Sequence, residues 1–123
     1  MKLNIDTVKA LLASIEELPD YPAKGEIKID GIDPVTVLYH LSLMLEAGLI
    51  KGNEYAEREG RSVFVDRLTR EGHAFLANAQ NEAVWERFNA VRQSVGSFSF
   101  DIAQSLLDTI AHQIALETCY NEE

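Results

Sequence analysis

Five basic side chains that could neutralise phosphates fall within 20 residues near the middle of the chain: Lys51, Arg58, Arg61, Arg67 and Arg70. Lysine and arginine supply most of the attraction of a protein to the DNA backbone, and an arginine at a hairpin tip can enter a minor groove. The sequence therefore makes Lys51, Arg58, Arg61 and Arg67 candidate DNA contacts. Three glutamates interleave with them, and mixed charge is equally typical of a solvated hairpin that resists edge pairing.

The segment just before this cluster supplies a second set of candidate contacts. A helix over residues 34–46 is expected to expose Thr36, Tyr39, His40 and Ser42, together with Leu43 and Glu46. The first four side chains could bind base edges, but the helix contains no lysine or arginine. The alternative is that this face packs against another protein surface.

No motif of an enzyme, a metal site or a cofactor site occurs. His40, His73 and His112 lie far apart, and Cys119 is the sole cysteine, so no known metal-ligand spacing is present. The glycines form no phosphate loop or dinucleotide motif, and no nucleophile motif is found. We therefore expect a protein that is not an enzyme and has neither metal nor cofactor.

Composition indicates one ordinary domain with an acidic surface. The chain has 123 residues, is 46% hydrophobic and carries a formal net charge of −9, which opposes unspecific attraction to nucleic acid. Residues 51–72 contain five basic and five acidic residues, and residues 73–123 contain two and seven. A lone cysteine, no apolar signal segment and no apolar run long enough to span a bilayer predict a cytoplasmic protein.

The first half of the chain predicts two helices and a strand. Asp6 is a good N-cap for a helix over about 7–18 that Pro19 ends, and alternating residues 25–31 predict a short edge strand. Asp33 followed by Pro34 predicts the start of a second helix. Gly48 is expected to end that helix after Ala47 through a left-handed cap. Its buried stripe should comprise Val37, Leu38, Leu41, Met44 and Leu45.

The second half predicts a hairpin followed by three helices. Strand-forming segments 50–55 and 62–68 flank a polar connection over 56–61. Thr69 should cap a helix to about Ala79, and Asn81 another to about Val95. Ser99 or Ser97 should cap the last helix, which runs to about Glu117.

Two phrases in this order of elements resemble winged helix–turn–helix domains. Leu-Glu-Ala-Gly-Leu-Ile over residues 45–50 resembles the end of a recognition helix, and Leu-Thr-Arg-Glu-Gly over 68–72 resembles the segment after the wing. The resemblance implies a mostly helical α+β fold with a winged-helix core over 1–79. A helical extension over 80–123 would pack on this core as part of one domain.

A second resemblance covers nearly the whole chain. Leu-Tyr-His-Leu over 38–41, residues 68–76, Val84-Trp85 and residues 96–100 resemble the bacterial and prophage family called domain of unknown function 2513. That family implies a fold and no activity. One departure concerns both resemblances: only Gly31 and Ile32 separate the predicted strand from Asp33, so the helix that normally precedes a recognition helix has no room.

Two functions follow. The first is a DNA-binding, transcription-regulator-like protein of bacterial or prophage origin, which the fold favours. The second is an acidic protein–protein interaction module, such as an adaptor or a phage-encoded DNA mimic that inhibits a host protein, which the charge favours.

The last predicted helix carries a wide apolar stripe. It includes Ile102, Leu106, Leu107, Ile110 and Ile114, and fills about four of every seven positions. A homodimer formed through this helix would cover the surplus face. The alternative is burial on both sides within one chain, between the first helix and residues 82–95.

Overall fold

The computed structural model describes residues 1–18, 27–58, 60–96 and 98–121, in which five helices and two strands follow one another. They are α1 (Ile5–Glu16), α2 (Pro34–Glu46), β1 (Ile50–Glu57), β2 (Gly60–Leu68), α3 (Arg70–Gln80), α4 (Glu82–Val95) and α5 (Phe100–Asn121). The chain divides into two compact units, residues 1–73 and residues 74–123. The described part is thus a mostly helical α+β protein with one two-stranded antiparallel sheet.

Helix α1 begins about two residues earlier than the sequence predicts. The cap is Asn4, whose Oδ1 accepts hydrogen bonds from the amides of Asp6 at 2.9 Å and Thr7 at 3.3 Å, so the prediction that Asp6 is the cap is wrong. The earlier start brings Ile5 into the buried face, and Asp6 lies in the first turn, where its charge favours the helix dipole. The predicted stop at Pro19 lies outside the described residues, and the helix already ends at Glu16.

Helix α2 begins and ends as predicted. The Asp33 carboxylate accepts from the Thr36 amide at 3.0 Å, and Pro34 occupies the first turn. At the other end Gly48 has φ +77°, and the Leu49 amide donates to the Met44 carbonyl at 2.9 Å, which closes a left-handed C-terminal motif. Of the predicted stripe, Val37, Leu41 and Met44 are buried, whereas Leu38 and Leu45 are half-buried.

The described part of the predicted strand over 25–31 is not a strand. Residues 27–29 alternate between buried Ile27, exposed Lys28 and half-buried Ile29, but they form no ladder. They line a groove with the first residues of β2 instead. Alternation alone therefore predicted the burial pattern correctly and the hydrogen bonding wrongly.

The β1–β2 hairpin is longer than predicted, because Glu57 pairs with Gly60 across a two-residue connection. The register shifts between Lys51 and Gly52, so that Lys51 faces Arg67 and Gly52 faces Val65. Side chains alternate between faces along a strand. One face carries buried Val63 and Val65 and packs against α1 and α2; the opposite face, called here the outer face, is exposed.

Each unit has its own buried apolar residues. In residues 1–73 they come from α1, α2 and the hairpin, and include Val8, Leu11, Leu12, Met44, Leu49 and Val65. In residues 74–123 they include Phe75, Leu76, Val84, Phe88, Ala103 and Leu107, and α4 packs against α5.

The caps of the last three helices follow the sequence prediction closely. The Thr69 hydroxyl accepts from the Gly72 amide at 3.0 Å, and the Asn81 side chain accepts from the Val84 amide at 3.2 Å. Ser99 accepts from the Ile102 amide at 3.2 Å, whereas Ser97 lies outside the described residues. Helix α5 runs beyond the predicted end at Glu117 to Asn121. None of the described helices is long and apolar enough to cross a membrane.

Candidate functional site

The turn after α2 and the start of α3 are locked together by Thr69. Its amide donates to the Leu49 carbonyl at 3.0 Å, and its hydroxyl donates to the Gly48 carbonyl at 2.5 Å. The same hydroxyl accepts from the Gly72 amide. The two sequence phrases over 45–50 and 68–72 therefore meet in space. This junction therefore fixes the start of β1 relative to the end of α2, and the start of α3 relative to the end of β2.

Gly72 makes that junction possible because α3 approaches the Leu49 backbone closely. A Cβ atom at Gly72 would lie 2.0 Å from the Leu49 carbonyl oxygen, well inside any real contact. The glycine of the Leu-Thr-Arg-Glu-Gly phrase is thus required by packing, since no larger residue fits between these two backbones.

Three basic side chains converge at this junction. Lys51 from β1, Arg67 from β2 and Arg70 from α3 line a cleft of about 560 Å³, called here the basal cleft. Lys51 and Arg70 are exposed, and the half-buried Arg67 donates from Nη1 to the Leu68 carbonyl at 2.9 Å. None of the three forms an ion pair with another described residue, although Glu71 also lines the cleft. The remaining lining residues are Leu45, Gly48, Ile50, Gly52 and Thr69.

The other two basic residues of the predicted cluster lie at the far end of the hairpin. Arg58 is exposed in the turn, and Arg61 follows at the start of β2. Glu57 lies six positions after Lys51 along β1, a distance of about 20 Å at roughly 3.3 Å per residue. The five cations therefore form two groups rather than one patch.

Arg61 is turned toward α2 by an acidic neighbour. Its guanidinium lies 3.5 Å from a carboxylate oxygen of Glu54, which also accepts a hydrogen bond from the Ser42 hydroxyl at 3.0 Å. Of the four predicted hairpin contacts, Arg61 forms an ion pair with another described residue, whereas Lys51, Arg58 and Arg67 form none.

His40 is not on the surface, and the prediction that α2 exposes it is wrong. The side chain is 1% exposed. Its Nε2 accepts from the Asn4 amide at 2.9 Å and its Nδ1 lies 2.8 Å from the Thr36 carbonyl, which requires the proton on Nδ1. His40 therefore joins α2 to the N-terminus of α1 and is unable to contact a base.

The other three predicted base contacts on α2 also have partners within the chain. The Thr36 hydroxyl donates to Asp33 Oδ2 at 2.7 Å, and this bond lowers the pKa of the Asp33 carboxyl below its ordinary value. Ser42 donates to Glu54, and half-buried Tyr39 lies edge-on to the His40 ring with centroids 5.3 Å apart. The exposed hairpin, rather than α2, is consequently the better candidate surface.

The outer face of the hairpin carries an aromatic pair that sequence reasoning missed. Tyr55 and Phe64 are 48% and 40% exposed, and their ring centroids lie 5.6 Å apart with planes at 72°. Both occupy positions that alternate with inward residues of β1 and β2, and this signal was present in the sequence.

The predicted dimer stripe on α5 is partly internal. Leu107 and Ile110 are buried within the chain, so the prediction that they contact a second subunit is wrong. Ile102 is exposed, and Leu106 and Ile114 are half-buried, so these three are left for such a contact. Exposed apolar side chains also include Leu116 and Tyr120.

The titratable residues of the described ranges form no group of three or more that could hold a metal ion. His73 lies 3.7 Å from a carboxylate oxygen of Glu16, and Cys119 is a free, exposed thiol. Arg87 on α4 and Glu117 on α5 form a bidentate salt bridge, in which Nη1 and Nη2 of Arg87 donate to Oε1 and Oε2 of Glu117 at 3.2 and 2.8 Å. The hydrogen bond from Arg87 lowers the pKa of Glu117 below its ordinary value.

Comparison with known proteins places this architecture in a family. The model of the family described as "Hypothetical protein (DUF2513)" matches residues 2–99, which include the two phrases over 45–50 and 68–72 and the hairpin. An uncharacterized protein of Haemophilus influenzae is 31% identical over 117 residues, covering 93% of this chain and 95% of that protein. The chain therefore belongs to the DUF2513 family. No solved structure matches it.

Proposed function

We propose that this chain is a winged-helix type DNA-binding module without enzymatic activity, of the kind found in bacterial or prophage transcription regulators and acting in the cytoplasm. The observation that carries the proposal is the basal cleft, where Lys51, Arg67 and Arg70 reach one opening from three different elements. Three cations around one cleft suit a phosphate, which can accept hydrogen bonds from several donors at once.

The pairing of Lys51 with Arg67 supports a ligand at this place. The two residues are direct partners across the hairpin, and like charges at directly opposed positions destabilise a sheet. No described carboxylate pairs with either of them. A bound phosphate would relieve this repulsion, so a residue pair that is poor for folding is well suited to binding an anion.

The start of α3 adds to the attraction. Arg70 is the first residue of this helix, whose N-terminal end carries a partial positive charge that favours anions. The Thr69 junction holds β1, β2 and α3 in fixed relation, so the three cations need little rearrangement on binding. In the proposed complex the hairpin lies along the DNA with Arg58 at its tip.

The whole-chain charge sets the expected strength of binding. A net charge of −9 repels DNA at long range, and few phosphates can be contacted, so affinity should be modest and should fall with salt at a shallow slope of about −0.9 per contacted phosphate. This is the reason to compare variants that change the net charge equally.

The test is fluorescence anisotropy with labelled duplex DNA at about 50 mM salt, where unspecific contacts should be measurable. Lys51→Gln with Arg70→Gln removes two cations from the basal cleft, and Lys2→Gln with Lys28→Gln removes two exposed cations elsewhere. The cleft variant should bind more weakly and lower the slope of log affinity against log salt by up to about 1.8, or 0.9 per lost contact. The control should remain near the wild type.

Two outcomes would overturn the proposal. One is the absence of any binding by the wild-type protein at micromolar concentration. The other is an equal loss in both double variants, which would show that only the net charge matters.

A protein-interaction module is the second candidate, and the composition of residues 73–123 favours it. This part has two basic and seven acidic residues, and it exposes Val95, Ile102, Leu116 and Tyr120. An adaptor or a DNA mimic would use such an acidic surface to meet a basic partner protein. Under that hypothesis Glu82→Gln with Glu86→Gln, both exposed, weakens partner binding, whereas the basal-cleft variant has no effect.

A further inference from the structure

Two aromatic rings are exposed on the outer face of the hairpin, although burying them would add more to the stability of a small protein. Tyr55 and Phe64 lie on neighbouring strands, on the side opposite Val63 and Val65, and each is at least 40% exposed. The planes of the rings meet at 72°, so the edge of one ring covers only part of the other. The pair supports the hairpin, yet much aromatic surface stays in water.

Basic residues lie at both ends of this aromatic surface. Lys51 precedes Tyr55 by four residues on the same strand, about 13 Å at roughly 3.3 Å per residue. Arg58 follows Tyr55 by three residues and is exposed in the turn. A strand of nucleic acid lying along the hairpin would meet cations for its phosphates before and after the rings.

The residues opposite the rings are polar. Phe64 pairs with Asn53 and Tyr55 pairs with Ser62, and all four lie on the same face. An amide and a hydroxyl beside a ring can bind the edge of a base that stacks on that ring. Glu57 is the acidic residue of this face nearest the rings, and its carboxylate lies 3.5 Å from the Ser62 hydroxyl.

From this arrangement we infer that the hairpin prefers nucleic acid with unpaired bases, which stack on Tyr55 and Phe64 while Lys51 and Arg58 hold the flanking phosphates. The inference rests on the proposed function and names its substrate class. Within a duplex the flat faces of the bases are already stacked on one another, whereas a single strand or an open segment offers them to protein rings. In this arrangement the basal cleft supplies affinity for nucleic acid in general, and the rings supply the preference for unpaired bases.

The test compares a labelled oligothymidylate single strand with a duplex of equal length by anisotropy. Wild-type protein should bind the single strand more tightly. Tyr55→Leu with Phe64→Leu should weaken single-strand binding about tenfold or more, since stacking on one ring contributes that much, and should leave duplex binding unchanged. Tyr55→Phe should behave like the wild type, because stacking does not need the hydroxyl. Tyr120→Leu removes an exposed aromatic ring outside the hairpin and should have no effect.

A second measurement covers the case in which the double leucine variant fails to fold. Wild-type protein is crosslinked by ultraviolet light to a bromouracil-containing single strand, and the attachment site is found by mass spectrometry. Crosslinks at Tyr55 or Phe64 are expected, and crosslinks confined to residues 74–123 would overturn the inference.

The outcomes separate the inference from the proposed function. If duplex and single strand bind equally, or if the leucine variant loses both alike, the preference for unpaired bases is wrong and DNA binding stands. If neither nucleic acid binds, the proposed function itself fails, and the rings are left to a protein partner.

Discussion

Gly72→Ala gives the sharpest test of how the site is held in place, because two effects of opposite sign compete. In an exposed helix, replacing glycine by alanine stabilises by about 1 kcal/mol. Here the new Cβ would lie 2.0 Å from the Leu49 carbonyl oxygen, so α3 must retreat from the turn by about 1 Å or more. Overpacking of this kind costs about 1–3 kcal/mol beyond the helical gain.

The retreat would also weaken the hydrogen bonds of Thr69 to Gly48 and Leu49, so we expect a net loss of at least about 1 kcal/mol. Thermal unfolding followed by far-ultraviolet circular dichroism should show a midpoint lower by about 4 °C or more. Ala74→Gly, at an exposed position of the same helix, measures the helical preference alone. A Gly72→Ala protein with an unchanged or higher midpoint would refute the close approach and, with it, the rigid basal cleft.

Three further predictions concern other parts of the chain. His40→Ala should lower the free energy of unfolding, measured in urea, by about 1–3 kcal/mol because it leaves the Asn4 amide unpaired. His40→Gln keeps a hydrogen-bond acceptor and should recover part of this loss. Equal losses in the two variants would contradict the hydrogen bond to Asn4. Since Arg87 lowers the pKa of Glu117, this pair stabilises the fold above about pH 4.5, and its contribution disappears as the pH falls through the lowered pKa. Glu117→Gln should therefore reduce the loss of stability measured between about pH 4.5 and lower pH, and an unchanged dependence of stability on pH would contradict the pair. We also propose a homodimer through the exposed part of α5, so light scattering should find a dimer that Ile102→Asp dissociates, and a monomeric wild type at about 100 µM would refute it.

Helix ends were predictable from the sequence because capping is local. Asp33 with Pro34, Thr69, Asn81 and Ser99 each need only a side-chain oxygen near an amide two or three residues away. The exception is α1, where both Asn4 and Asp6 are good caps. Burial of Ile5 selects the earlier one, and burial depends on tertiary packing that the local sequence does not contain.

The candidate site was only partly predictable, because side chains take partners from distant elements. The sequence indicated the basic cluster, but it contained no sign that Arg61 pairs with Glu54 or that His40 joins Asn4, 36 residues away. Two of the five cluster residues are separated from the rest by the length of the hairpin, which follows from strand geometry once the register is known. The exposed aromatic pair could have been found by applying the two-residue period to both strands.

Nuclear magnetic resonance mapping of a nucleic-acid titration tests the central claim most directly. Amide signals of an isotopically labelled protein are followed while a short single-stranded oligonucleotide is added, and then a duplex. We expect the largest shifts at Lys51, Asn53, Phe64, Arg67 and Arg70, with those of the outer face larger for the single strand. Shifts confined to α4 and α5, or the absence of shifts at about 1 mM oligonucleotide, would contradict the assignment of the hairpin as a nucleic-acid binding surface.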